Sequence, residues 1–151
     1  MQTIHLSTFI AAPREHVWDV MLSDASYREW TSVFMPGSYY RGSWDQGAKI
    51  LFVAPNQDGK GESGMVSRIE ESRRPEFLSI KHLGMIENGV EDTTSEKVQK
   101  WAGAHENYTF VEKDGGTELA IDMTIAEDEK AYMEDAWKKA LVRLKELAEQ
   151  S

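Results

Sequence analysis

The final stretch of the chain constrains everything before it. From Asp128 to Glu149, apolar residues fall at Met133, Trp137, Ala140, Leu141, Leu144, Leu147 and Ala148, the i, i+3, i+4, i+7 spacing of one helical face. Asp128, Glu129 and Glu134 precede Lys138, Lys139, Arg143 and Lys145, the charge order that suits a helix dipole. Asp128 is a candidate N-cap, and a helix over Glu129 to Glu149 is about 30 Å long. Nearly all of the preceding sequence reads as strand. A one-sided helix of that length must lay its apolar face on a sheet, and the space between them is where a functional site is expected.

The sheet can be traced from period-two alternation. Ile4, Leu6, Thr8 and Ile10 share one parity in a first strand, which Ala11-Ala12-Pro13 ends. Pro13 suits the first position of a short helix carrying Val17, Val20 and Met21. Ser26-Tyr27-Arg28-Glu29 has the form of a capping box, so a second short helix is expected from Asp24 or Ser26, broken before Pro36-Gly37. Strands are then expected over Tyr39–Arg41, Lys49–Ala54, Gly64–Glu71, Phe77–Ile86, Trp101–Lys113 and Thr117–Ile125. Asp114-Gly115-Gly116 turns the last pair into a hairpin. With a loop of two or four residues, Glu106, Tyr108 and Phe110 share a face with Leu119, Ile121, Met123 and Ile125. Leu78, Ile80 and Ile86 share parity with His82 and Gly84, as Ile50 does with Phe52. One face of a single antiparallel sheet is thereby apolar.

A chain of 151 residues makes one domain over 1–151, burying roughly 68–70% of its unfolded surface. Its formal net charge of -9, with no basic cluster, opposes nucleic acid and a stable anionic-membrane partner. The absence of cysteine removes disulfides and thiolate chemistry. Met1-Gln2-Thr3-Ile4-His5 lacks the form of a signal peptide and no apolar run reaches spanning length, so a cytoplasmic location is expected. The four histidines have no metal-ligand spacing, and no metal or cofactor is expected.

Several stretches resemble one family. They are Ile10-Ala11-Ala12-Pro13-Arg14-Glu15-His16-Val17-Trp18, Tyr27-Arg28-Glu29-Trp30, Gly42-Ser43-Trp44-Asp45-Gln46-Gly47, Gly64-Met65-Val66-Ser67-Arg68-Ile69 and Arg74-Pro75-Glu76-Phe77-Leu78. Tyr108-Thr109-Phe110, Gly116-Thr117-Glu118-Leu119 and Trp137 to Lys145 continue the likeness across nearly the whole chain. Together they resemble the START-like (SRPBCC) superfamily, and within it bacterial homologues of the activator of the heat-shock protein 90 ATPase. The resemblance implies an α+β helix-grip fold: a curved antiparallel sheet of about six or seven strands, two short N-terminal helices, and one long C-terminal helix over the sheet. It also implies a hydrophobic cavity for lipids, steroids, polyketides or similar molecules. These stretches mark a fold and carry no catalytic signature.

The candidate site residues are Trp30, Phe52, Ile80, His82, Glu106, Tyr108, Phe110, Ile121, Met123, Met133, Trp137 and Leu141. They either close into a packed core or line a cavity. Large aromatics and methionines, with few small residues to interdigitate, favour the cavity. Trp30, Phe34 and the acidic stretch from Glu87 to Glu96 are candidates for its rim and lid, although a solvated loop suits that stretch at least as well. His82 and Glu106 share the apolar face, as a proton-transfer pair would, or as a hydrogen-bonded core histidine beside a strand-end carboxylate. Gly59-Lys60-Gly61-Glu62-Ser63-Gly64 fits glycine-rich phosphate-loop patterns, yet a strand and not a helix follows, so a β-turn is expected. The reading preferred is a noncatalytic binding module for a small hydrophobic molecule. A chaperone-associated regulator acting through its surface is the alternative, and a polyketide cyclase or dehydratase the third. Tyr39 and Tyr40 either mark the edge of a weak homodimer or brace a strand in a monomer.

Overall fold

The structure, a computed structural model, describes residues 2–150. Eight strands form one antiparallel sheet: β1 (Gln2–Ile10), β2 (Tyr39–Gly42), β3 (Lys49–Pro55), β4 (Glu62–Arg73), β5 (Phe77–Glu87), β6 (Val90–Asp92), β7 (His105–Lys113) and β8 (Gly116–Ile125). Seven are ordered β1-β8-β7-β5-β4-β3-β2, and β6 is a short addition to β5. Helices α1 (Arg14–Leu22) and α2 (Asp24–Trp30) intervene between β1 and β2, α3 (Glu96–Gln99) follows β6, and α4 (Lys130–Gln150) closes the chain. This is the α+β helix-grip arrangement. No described helix is long and apolar enough to cross a membrane.

Local chemistry explains where the elements begin. The β7–β8 hairpin uses a two-residue turn, Asp114-Gly115, both at positive φ (49° and 78°), with Lys113 paired to Gly116. That geometry matches the strand twist and favours glycine at its second position. It sets Tyr108 opposite Ile121 and Phe110 opposite Leu119, so both apolar rows face the same way. Pro13 sits at the N-cap of α1 and not inside it, its carbonyl accepting from Val17 N at 3.0 Å. Ser23, not Ser26, occupies the N-cap of α2, and the two hydroxyls bond to each other at 2.6 Å. Asp128 is likewise no N-cap. The chain enters α4 through a 3-10 turn over Glu127–Glu129, in which Glu129 N donates to Ala126 O at 3.1 Å. β7 starts at His105, because Gly103, at φ 94°, turns to donate its N–H to His82 O at 2.8 Å.

The sheet is not regular throughout, and its irregularity redirects side chains. β4 and β5 slip register between Val66 and Ser67, so that Val66 faces Gly84 while Ser67 faces His82, skipping Leu83. Such a bulge reverses the alternation beyond it. Ile86 therefore leaves the face of Ile80 and His82. It joins Val53 and Val66 in a separate outer cluster, with Tyr39 and Leu51 against it. The segment from 87 to 104 folds over this outer side: Thr93 Cα lies 2.9 Å from where a Cβ at Gly84 would sit, and Val98 is fully buried. It is no lid. Tyr40 is turned inward, donating to Leu22 O at 2.7 Å, and the Tyr39 hydroxyl bonds to Glu62. Both tyrosines thus brace β2 from within one chain.

The main core lies on the inner face. α4 runs against β1, α1 and α2, burying Ala136, Trp137, Ala140, Leu141, Leu144 and Ala148. α1 contributes Val17, Trp18 and Met21, and Trp18 packs on Phe110 at 5.2 Å between ring centroids. Beneath the last turns of α4 the space is filled. Near its first turns it is not.

Candidate ligand cavity

Between the first turns of α4, the end of α2 with the turn after it, and the inner face of β3, β4, β5 and β7 lies a cavity of about 340 Å³. That volume is at the lower end of the range for small-molecule sites, roughly 300–1,000 Å³. Its walls are predominantly apolar. Trp30, Phe52, His82, Glu106, Tyr108, Met133 and Trp137 all border it, and Phe34 stands at its rim. Ile80, Phe110, Ile121, Met123 and Leu141 lie instead in the packed core, each at most 5% exposed. The helix and hairpin rows that the sequence pattern joins thus belong for the most part to one packed core, with the open volume at one end.

Aromatic rings form a continuous belt around that volume. Tyr27 contacts Trp30 at 5.4 Å and Phe52 at 6.3 Å. Trp30 contacts Trp137 at 5.7 Å, and Trp137 meets Phe34 at 5.1 Å and Tyr108 at 6.0 Å. Edge-on and tilted arrangements of this kind stabilise the wall beyond simple area burial. Trp30 is fixed by its Nε1–H, which donates to Met21 O at 3.0 Å. The Trp137 indole N–H has no partner among the described residues although its residue is only 2% exposed. An unmet buried donor costs about 1–3 kcal/mol.

His82 and Glu106 bring one cluster of the cavity's polar groups together on β5 and β7, with Ser67 of β4 behind them. His82 Nδ1 lies 2.7 Å from Ser67 Oγ, and His82 Nε2 lies 3.4 Å from Glu106 Oε1. The Tyr108 hydroxyl donates to Glu106 Oε2. Side-chain exposure is 7% for His82 and 15% for Glu106. A neutral imidazole meets both contacts, accepting from Ser67 at Nδ1 and donating from Nε2 to Glu106. Burial, followed by the Glu106 carboxylate, pushes the Tyr108 phenol well above its usual value, and the same two causes lead for Tyr27. Among the described residues no group of three or more His, Asp or Glu can hold a metal ion.

Tyr27 and Met65 border the cavity outside the candidate set, while Ser67 stands behind it, bonded to His82. Ser67 is fully buried, sharing its strand face with Met65, and that parity was the available signal. For Tyr27 no signal existed beyond its place in a short helix. The glycine-rich stretch is the tip of the β3–β4 hairpin, where Asn56 N donates to Gly61 O at 3.0 Å. Its first glycines make that turn, and Ser63 and Gly64, already in β4, border the cavity.

The family model described as "Activator of Hsp90 ATPase homolog 1-like protein" matches residues 11–149. Among curated proteins no sequence matches. The fold resembles the solution structure of the Aha1 dimer from Colwellia psychrerythraea, with TM-score 0.72 and 16% identity over 99% of this chain and 97% of that one. An AHSA1-like protein from Aeromonas hydrophila gives 0.72 and 15%, covering 99% and 93%. A Cytophaga hutchinsonii protein gives 0.73 and 19%, covering 99% and 95%.

Proposed function

Because the chain belongs to the family of proteins like activator of Hsp90 ATPase homologue 1, within the START-like superfamily, we propose that it is a noncatalytic binding module for one small, mainly apolar molecule with a polar end. The observation that carries this reading is the cavity itself, a largely apolar, aromatic volume in which His82, Glu106 and Tyr108 stand together on β5 and β7. Trp30, Phe52, Met133 and Trp137 supply the apolar contact, while His82, Glu106 and Tyr108 orient the polar end. Ile80, Phe110, Ile121, Met123 and Leu141 back the wall.

Magnitudes support a two-part site. A ring system burying about 150–250 Å² gains roughly 4–6 kcal/mol at ~25 cal/mol per Å². Association costs on the order of 4 kcal/mol or more. Burial alone thus leaves weak binding, and the hydrogen-bonding groups must supply the rest. Native mass spectrometry of the protein from its own host, with thermal-shift screening of lipids and aromatic polyketides, tests the reading. A bound molecule or a stabilising compound is expected, lost in Ala54→Phe, which fills the cavity from β3. No adduct and no stabilising compound would overturn it.

The family description favours a second reading, a regulator of the heat-shock protein 90 ATPase acting through its outer surface. Its signature is a changed chaperone ATPase rate that Ala54→Phe leaves intact.

A further inference from the structure

We propose that the cavity selects an organic cation, a hydrophobic amine or quaternary ammonium, over neutral or acidic molecules of the same shape. This rests on the binding reading above and adds the charge of the ligand. Six aromatic side chains border the volume: Tyr27, Trp30, Phe34, Phe52, Tyr108 and Trp137. Their rings meet at angles from 30° to 76°, so the wall does not stack in one plane. Such rings attract a cation placed over their faces, most strongly where water is excluded.

Among the described residues the single carboxylate of the wall is Glu106, and no lysine or arginine borders the cavity. The Ser67 hydroxyl and the Tyr108 hydroxyl satisfy His82 and one Glu106 oxygen without adding positive charge. A carboxylate has about four acceptor sites, so Glu106 retains capacity towards the cavity after its contacts with Tyr108 and His82. A buried charge without a counterion is costly, and a cationic ligand removes that cost. Burial first, and the Glu106 carboxylate second, raise the phenols of Tyr27 and Tyr108, which therefore stay uncharged beside that carboxylate. An acidic ligand would meet that carboxylate with like charge.

The experiment titrates the full chain with three probes while following tryptophan fluorescence, since Trp30 and Trp137 border the cavity. The probes are benzyltrimethylammonium, its uncharged isostere neopentylbenzene, and 3-phenylpropionate. The expected order is ammonium tightest, by about tenfold or more over the isostere, and the acid weakest. Glu106→Gln should bring the ammonium down towards the isostere. The wild-type ranking stands without the variant should Glu106→Gln fail to fold. Binding of isostere or acid as tightly as the ammonium overturns the cation inference alone. Failure of all three to bind overturns the cavity reading together with it.

Discussion

The two ends of the space beneath α4 are built from the same sheet and the same helix, yet one is solid and the other hollow. Under Leu141, Leu144 and Ala148 the gap is filled by α1, whose Val17, Trp18 and Met21 reach Phe110 and its neighbours. Under Met133 and Trp137 the chain has only the end of α2 and a 3-10 turn over Thr31–Val33, and these stand away from β3 and β4. The difference lies in the connection between β1 and β2, not in the sheet. One short helix placed against the hairpin makes core. A turn placed against the opposite end leaves a cavity.

Truncation at the two ends should separate them most clearly. Phe110→Ala, in the filled end, should cost about 3–5 kcal/mol by chemical denaturation. Phe52→Ala should cost about 1–3 kcal/mol, because Phe52 is part-exposed and already borders empty volume on one side. On the helix, Leu144→Ala should cost about 2–5 kcal/mol and Met133→Ala about 1 kcal/mol. Equal losses within each pair would mean that the hollow end is packed as tightly as the other.

How far the sequence discloses this contrast depends on the range of the interactions involved. The helix stripe from Met133 to Ala148 and the alternation of β7 and β8 are periodic and local, so both were legible. So was the shared face of His82 and Glu106, which the pairing of β7 to β5 brings together. The hollow was not confined by the same signals, since Phe110, Ile121 and Leu141 obey the same periodicity as Tyr108 and Trp137. Whether an apolar row meets another side chain or a void depends on α1 and α2, whose positions no period encodes. The bulge at Leu83 shows a second limit. It turned Ile86 outward against the pattern, and nothing in Lys81-His82-Leu83-Gly84 beyond the glycine announces it. The acidic stretch after β5 then followed Gly84 to the outer face and not to the cavity mouth.

A smaller test compares the two faces of the sheet. At Gly84 an added Cβ would collide with Asp92 O and lie 2.8 Å from Thr93 Cγ2. Gly84→Ala should cost about 1–3 kcal/mol through overpacking. The loss should fall on the outer segment, read as faster hydrogen exchange at Val98 and Ala102 amides, with probe binding in the cavity unchanged. Loss of binding in that variant would show that the outer segment and the cavity share one mechanical unit.

The smallest effect is absent at neutral pH and appears only in alkali. Tyr27 and Tyr108 both have phenols raised above the ordinary value of 10.0, burial being the first cause and Glu106 the second. Their folded forms hold the proton after the unfolded chain has begun to release it. The stability they contribute is therefore fully present below the unfolded value and is lost as pH rises from there towards the folded one. Melting temperature should be flat with pH up to about 9 and fall beyond 10, where unfolded tyrosines ionise. Tyr27→Phe and Tyr108→Phe should each flatten that fall, and a charged ligand's affinity should not follow it below pH 9. Tyr132, at the far more exposed start of α4, supplies the control. If Tyr132→Phe flattened the curve as much as the cavity tyrosines, the alkaline loss would belong to the surface and not to the hollow end.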